Sequence, residues 1–273
     1  MHPRALLEQF GYRPKKRFGQ NFLMDAGAAA RIAQLLGDPL DGRRVLEIGP
    51  GTGQLTQALL EHDADVTAID IDPDMVRILQ SRAELRRAHI VKADALTFDY
   101  SAFAGGQPWS MTGNLPYNIA TPLVMQLVEM TNGPQMLVVM VQREVAERFA
   151  ARPGTRAYGS LSVAVQYAMH VEKAFTLGPG AFYPRPKIDS TVVRLRRRAV
   201  PAAQPSDEHR FLKVVRAAFA YRRKTLANSL ALALGVERAV IVQALHQSGL
   251  DTEIRGEQLA IDDFARLADQ LPA

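Results

Sequence analysis

One event recurs along this chain and limits its fold more than any other. A short apolar run stops at a glycine, an acid or an amide, and a helical pattern follows. Val45 to Ile48 stops at Gly49, Val66 to Ile69 at Asp70, and His89 to Ala93 at Asp94. Trp109 to Thr112 runs on into Gly113-Asn114, and Met136 to Val141 is a fifth run, strongly β-branched. Helical patterns fill the gaps, from Gln54 to about Glu61, from Asp72-Pro73 toward Leu85, and from about Pro122 to Met130 with Thr121 as its cap. Strands alternating with helices give a parallel sheet with right-handed crossovers and helices on both faces, a doubly wound α/β class. The carboxyl ends of such strands share one edge, so Gly49, Asp70, Asp94 and Asn114 are expected to line one crevice.

The flanks differ from this middle. Residues 13–23 show no period and read as an extended arm, and Asp25 caps a helix from Ala26 to Leu36 that Gly37 stops. After the fifth strand, Glu144 to Ala151 and Tyr158 to Met169 read as helices, and Val192, Val193 and Leu195 as a last strand beside Phe175 to Leu177. A Pro- and Ala-rich linker spans 199–205, and only helical stripes follow it. The expected division is a basic N-terminal arm (1–24), a ligand-binding α/β domain (25–200) and a small all-helical domain (205–273).

Composition excludes several chemistries. Cysteine is absent, which removes disulfides, thiolate metal sites and iron–sulfur clusters, and the six histidines lack metal-ligand spacing. No apolar run approaches the ~18 residues of a membrane span, and the N-terminus lacks the apolar core of a signal peptide, so a cytoplasmic protein is expected. Charge is uneven. Residues 1–24 hold five Lys/Arg against one acid and residues 185–224 hold twelve against three, while the remainder is net acidic. Two basic surfaces on an acidic body suit a polyanion. Aromatics interleave with them at Phe10, Tyr12, Phe18, Phe22, Phe182, Tyr183, Phe219 and Tyr221, as base stacking requires.

The crevice residues carry their own chemistry. Glu47-Ile48-Gly49-Pro50-Gly51-Thr52-Gly53 is a glycine turn between strand and helix, where backbone can approach a ligand closely. Its spacing is not the dinucleotide G-x-G-x-x-G, and with an acid ahead of the first glycine it fits S-adenosylmethionine better. Asp70 stands where a carboxylate accepts from ribose hydroxyls, and Asp94 can accept from an adenine amino group. Singly these are ordinary features: tight packing, a helix N-terminal acid, a strand-end cap. Three acceptors after three successive strands, beside a glycine turn, describe a cofactor site. Asn114-Leu115-Pro116-Tyr117 adds an amide, a main-chain carbonyl and an aromatic face, which suit an amino group on a flat base.

Six motifs in order resemble the ribosomal RNA adenine dimethyltransferases of the small-subunit type, over about Lys15 to the C-terminus. They are Arg17-Phe18-Gly19-Gln20-Asn21-Phe22-Leu23, Glu47-Ile48-Gly49-Pro50-Gly51, Asn114-Leu115-Pro116-Tyr117, Gln142-Arg143-Glu144-Val145-Ala146, the Phe182 to Ser190 segment with its Pro184 and Pro186, and Arg222-Arg223-Lys224-Thr225. The resemblance implies a Rossmann-like methyltransferase sheet with a helical RNA-binding domain. It implies S-adenosylmethionine contacts from Asn21, Leu23, Gly49, Asp70, Asp94 and Asn114, with no metal. Asn114 Oδ1 and the Pro116 carbonyl would hold the target amine, Tyr117 and Phe182 would stack on the base, and Arg222, Arg223 and Lys224 would bind phosphates. Asp70 is shorter than the Glu often found there. The implied reaction is dimethylation at N6 of two adjacent adenosines near the 3′ end of 16S rRNA within the small subunit, by a monomer that acts on neither DNA nor membranes and aids subunit biogenesis. Rival readings are a non-catalytic assembly factor, which the intact Asn114-Leu115-Pro116-Tyr117 opposes, and a large-subunit rRNA dimethylase. A nicotinamide dehydrogenase fits least, because the loop spacing is wrong.

Overall fold

The computed structural model describes residues 3–37 and 40–272. Among the described residues nine strands occur in chain order: β1 (Phe22–Leu23), β2 (Arg44–Ile48), β3 (Asp65–Asp70), β4 (His89–Lys92), β5 (Ser110–Asn114), β6 (Met136–Gln142), β7 (Met169–Leu177), β8 (Phe182–Tyr183) and β9 (Ser190–Arg197). Seven form one sheet in the order β4-β3-β2-β5-β6-β9-β7, and β1 pairs with β8 separately. The five strands of the alternating region are parallel. The chain steps outward from β2 to β3 and β4, then returns to β2's other side at β5. That reversal opens a crevice at the carboxyl ends of β2 and β5. At Gly113 the backbone of β5 passes so near β2 that a Cβ would lie 2.3 Å from the Ile48 carbonyl oxygen. No other residue fits there.

Parallel strands are buried on both faces, which is why β2 and β6 read as continuous apolar runs. Val45, Leu46, Leu137, Val138 and Val139 are all fully buried. Helices start where the sequence offers caps. Asp25 accepts from Ala28 N at 3.0 Å to open Ala26–Leu36, and Asp72 accepts from Asp74 N at 3.1 Å with Pro73 first in Pro73–Gln80.

Several expectations need correction. The sheet is mixed, because β9 runs antiparallel to β6, with Gln142 opposite Ser190. The helix after β5 begins at Ala120, so Thr121 lies inside it rather than at its cap. The reason is local: the Pro116 carbonyl accepts from both Ile119 N and Ala120 N at 3.1 Å, starting the turn earlier. Pro122 is tolerated because first-turn N–H groups have no intrahelical acceptor. A short helix, Tyr100–Ala104, escaped the sequence reading, as did Pro3–Gln9 at the N-terminus. The arm is not free. Leu6 and Leu7 pack with Phe22, Met75 and Ile78, and β1 pairs in register with β8, Phe22 opposite Tyr183 and Leu23 opposite Phe182.

Contacts divide the chain into two units. The first holds residues through Ala146 together with Val171–Arg197, and the second holds Glu147–His170 and Arg198 onward. Ser160–Ala168, expected in the α/β domain, therefore groups with the C-terminal helices. Tyr158, Val163 and Tyr167 share a core with Phe211, Leu230 and Phe264, and Tyr158 Oη donates to the Leu259 carbonyl at 2.9 Å. An apolar stripe states that a helix is buried but not against which partner.

Candidate active site

A cavity of about 370 Å³ opens at the carboxyl edge of the sheet, within the roughly 300–1,000 Å³ usual for small-ligand sites. Its walls come from residues 17–23, the glycine turn and the start of the helix after it, the ends of β3 and β4, the segment from Asn114 to Ile119, and Met140 of β6. Asn21, Leu23, Gly49, Asp70, Asp94, Asn114, Pro116 and Tyr117 all line it. Phe182 does not.

The glycine turn forms the floor. Gly51 has φ +56°, and a Cβ there would meet the Phe22 ring at 2.7 Å, so only hydrogen fits. Arg82, almost fully buried, braces the turn by donating to the Thr52 carbonyl and to Gln57 Oε1 at 3.2 Å, with Glu84 Oε1 at 2.8 Å as counter-ion. Nothing in the sequence marks this arginine, which lies 30 residues from its carbonyl. Glu47 is buried and accepts from Thr56 Oγ1 at 2.6 Å. Burial pushes its carboxyl up to about 7, although the Thr56 hydrogen bond favours the ionised form.

At the end of β3, burial pushes the Asp70 carboxyl up to about 6, against the hydrogen bond that Asp72 N donates to Oδ1 at 2.8 Å. Asp94 Oδ1 accepts from Leu96 N at 2.9 Å. Beside these acids stand Ile71, 43% exposed, and Leu96, 37% exposed, both on the cavity wall. Two open aliphatic faces next to two carboxylates suit a flat heterocycle joined to a sugar. With a side-chain-free floor, this donor set fits S-adenosylmethionine. Among the described residues no group of His, Asp and Glu could hold a metal ion.

Asn114 is held by its amide. Nδ2 donates to the Asn21 carbonyl at 2.6 Å, and Asn21 Nδ2 donates to the Gly19 carbonyl at 3.0 Å. Oδ1 has no hydrogen-bond partner among the described residues. The Pro116 carbonyl is a different matter. Both of its lone pairs are committed to Ile119 N and Ala120 N, so the second acceptor assigned from the resemblance is already occupied. Leu115 N donates to the Met140 carbonyl at 3.0 Å, while the Leu115 carbonyl accepts no hydrogen bond among the described residues. Residue type gave no hint of this, since every residue carries a carbonyl.

The aromatic and basic expectations divide in the same way. Tyr117 lines the cavity half-buried, but Phe182 is 3% exposed and packs with Leu23 and Leu36, so it is core rather than an open stacking face. Phe22 is core as well. Lys15 is paired with Asp72 and Asp74, at 2.8 and 2.7 Å, and is not a free phosphate contact. In the second unit, Arg222 Nη2 donates to the carbonyls of Arg156 at 2.9 Å and Tyr158 at 3.1 Å and lies 3.7 Å from Glu257. Arg223 and Lys224 are exposed and make no side-chain hydrogen bond or ion pair among the described residues.

A doubly wound sheet with a glycine turn, strand-end carboxylates and a presented amide defines an S-adenosylmethionine-dependent methyltransferase. The family described as ribosomal RNA adenine dimethylase matches residues 11–272, and the chain belongs to it. It is 42% identical over 264 residues to ribosomal RNA small subunit methyltransferase A of Hahella chejuensis, covering 96% of this chain and 94% of that one. The protein of the same name from Pseudomonas aeruginosa is 43% identical over 266 residues, covering 97% of each. Among solved structures, a dimethyladenosine transferase from Plasmodium falciparum is similar with a TM-score of 0.72 at 25% identity, covering 90% of this chain and 95% of that one. The 23S rRNA methyltransferase ErmE has a TM-score of 0.68 at 27% identity, covering 92% and 99%.

Proposed function

We propose that this enzyme dimethylates N6 of two adjacent adenosines near the 3′ end of 16S rRNA within the small ribosomal subunit, as a cytoplasmic monomer contributing to subunit biogenesis. The observation that carries the reading is Asn114: its amide nitrogen is tied to Asn21 and its oxygen is unclaimed beside the unclaimed Leu115 carbonyl. The substrate assignment is supported by the near full-length relatives, which are named for the small subunit at 42–43% identity, against 27% for ErmE.

Adenine N6 is a poor nucleophile because its lone pair is delocalised into the ring. Asn114 Oδ1 and the Leu115 carbonyl accept its two hydrogens and favour a pyramidal, more electron-rich nitrogen. Tyr117 supplies the stacking face, offsetting part of the few kcal/mol spent in unstacking the base. S-adenosylmethionine, when bound, supplies an electrophilic methyl group on a sulfonium. Gly49, Asp70 and Asp94 would hold it together with Asn21 and Leu23, all of which line the cavity. The N6 proton becomes acidic as the new bond forms, and water takes it. Acceleration therefore rests on positioning and electrostatics rather than on a strong base. Asn114 is neutral, so it still serves after the first methylation has removed one N–H. Arg223 and Lys224 are assigned to rRNA phosphates.

The test is incubation with methyl-labelled S-adenosylmethionine and unmethylated small subunits, followed by mass mapping of the rRNA. The reading expects label on two neighbouring adenosines near the 3′ end. Label confined to large-subunit rRNA, or none, refutes it.

A further inference from the structure

Outside the residues assigned above, a polar cluster in the first unit is centred on Asp72. Its side chain is fully buried. Oδ1 accepts from Lys15 Nζ at 2.8 Å and, as helix cap, from Asp74 N at 3.1 Å. Oδ2 accepts from Tyr12 Oη at 2.6 Å and from Gln20 Nε2 at 3.2 Å. Lys15 also reaches Asp74 Oδ2 at 2.7 Å, and Gln20 Oε1 accepts from Lys15 N at 2.8 Å. The backbone N–H of the same aspartate donates to Asp70 Oδ1. Three residues from an otherwise irregular segment thus converge on one carboxylate, two positions past the acid assigned to the cofactor ribose.

Capping explains only part of this. A cap needs one oxygen and no cation, and Ser or Asn performs it as well. Oδ2 faces the arm alone. What the arm contributes lies just beyond: residues 17–23 form one wall of the cavity, and Asn21 grips Asn114. Few main-chain hydrogen bonds hold residues 12–20, so their placement depends on the side chains that meet at Asp72. A buried carboxylate with a cation and three further donors is costly to leave half-satisfied.

We propose that Asp72 is a positioning residue for cofactor binding: it latches Tyr12, Lys15 and Gln20, and so holds the 17–23 wall against the bound cofactor. The inference rests on the methyltransferase reading of the cavity. The coupling is reciprocal. Whatever factor the latched arm adds to cofactor affinity, bound cofactor must add to arm closure.

Two variants separate the latch from the cap. Tyr12→Phe with Lys15→Met removes arm contacts and leaves Asp72 capping Pro73–Gln80. Asp72→Ser keeps a cap and shortens the reach. Binding of S-adenosylhomocysteine is measured by calorimetry, and amide exchange across residues 12–23 is measured with and without it. The expected result is about tenfold weaker binding in both variants, a KM for S-adenosylmethionine raised by a similar factor, and kcat within about twofold of wild type. In the wild type the ligand should slow exchange of 12–23 by the same roughly tenfold factor. Unchanged affinity in the Tyr12→Phe/Lys15→Met protein, or exchange indifferent to ligand, overturns the latch. A wild-type protein that binds no S-adenosylhomocysteine would instead overturn the methyltransferase reading itself.

Discussion

In the proposed mechanism Asn114 governs methyl transfer and Asp70 governs cofactor binding. Asn114→Ala removes an acceptor and the tie to Asn21. Transfer should fall by about 10²–10³-fold or more, the scale of losing one preorganised electrostatic contact, with the fold retained by circular dichroism. Asn114→Asp is more informative. An anionic acceptor binds an N–H donor strongly but tolerates its loss poorly, so the ratio of mono- to dimethylated adenosine should rise on mass mapping. An unchanged ratio would remove neutrality as the reason for two methylations. Asp70 links the site to stability. Its carboxyl is raised from 3.8 to about 6, so the folded chain keeps a proton that the unfolded chain releases. That contribution is present at low pH and is lost as pH rises through about 6. Asp70→Asn cannot ionise. It should be more stable than wild type at pH 8, by on the order of 1–3 kcal/mol, match it near pH 4, and bind S-adenosylmethionine more weakly. Calorimetric melting at the two pH values checks the sign.

Among the elements, the glycine turn and the basic helix end make opposite kinds of claim. The turn has no slack: Gly51→Ala puts a methyl group into the Phe22 ring at positive φ, which should cost about 1–3 kcal/mol and weaken cofactor binding by displacing β1. The basic stretch after Glu208–Ala218 splits. Neutralising Arg223 and Lys224 should weaken rRNA binding and lower its salt slope by about one per cation, with cofactor affinity unchanged. Arg222→Ala should instead lower the melting temperature, because it removes two carbonyl partners within the second unit. Equal effects of all three on salt dependence would contradict that division. This is also where the sequence was most and least informative. Gly49, Asp70, Asp94 and Asn114 could be grouped from topology alone, since strand ends share an edge whatever the tertiary detail. The Leu115 carbonyl could not be found, because main-chain acceptors are invisible until their partners are known. Phe182 looked like a stacking ring because aromatic type does not reveal exposure. The charge of the basic arm did not reveal that Lys15 is already paired, because a cation's partner can lie 57 residues away.

For the molecule as a whole, the first unit must assemble a complete transfer site from its own residues. Every cavity residue supports this, from Arg17 at one end of the lining to Met140 at the other. The second unit presents Arg223 and Lys224 exposed, and its helices were legible as helices before their partners were. The most direct measurement is a crystal structure of the enzyme with S-adenosylhomocysteine and adenosine. The expected complex has the homocysteine moiety over Gly49 and Gly51, the ribose at Asp70, and adenosine N6 within hydrogen-bonding distance of both Asn114 Oδ1 and the Leu115 carbonyl. A cofactor bound elsewhere, or N6 held by the Pro116 carbonyl with Asn114 turned out of the cavity, would contradict it.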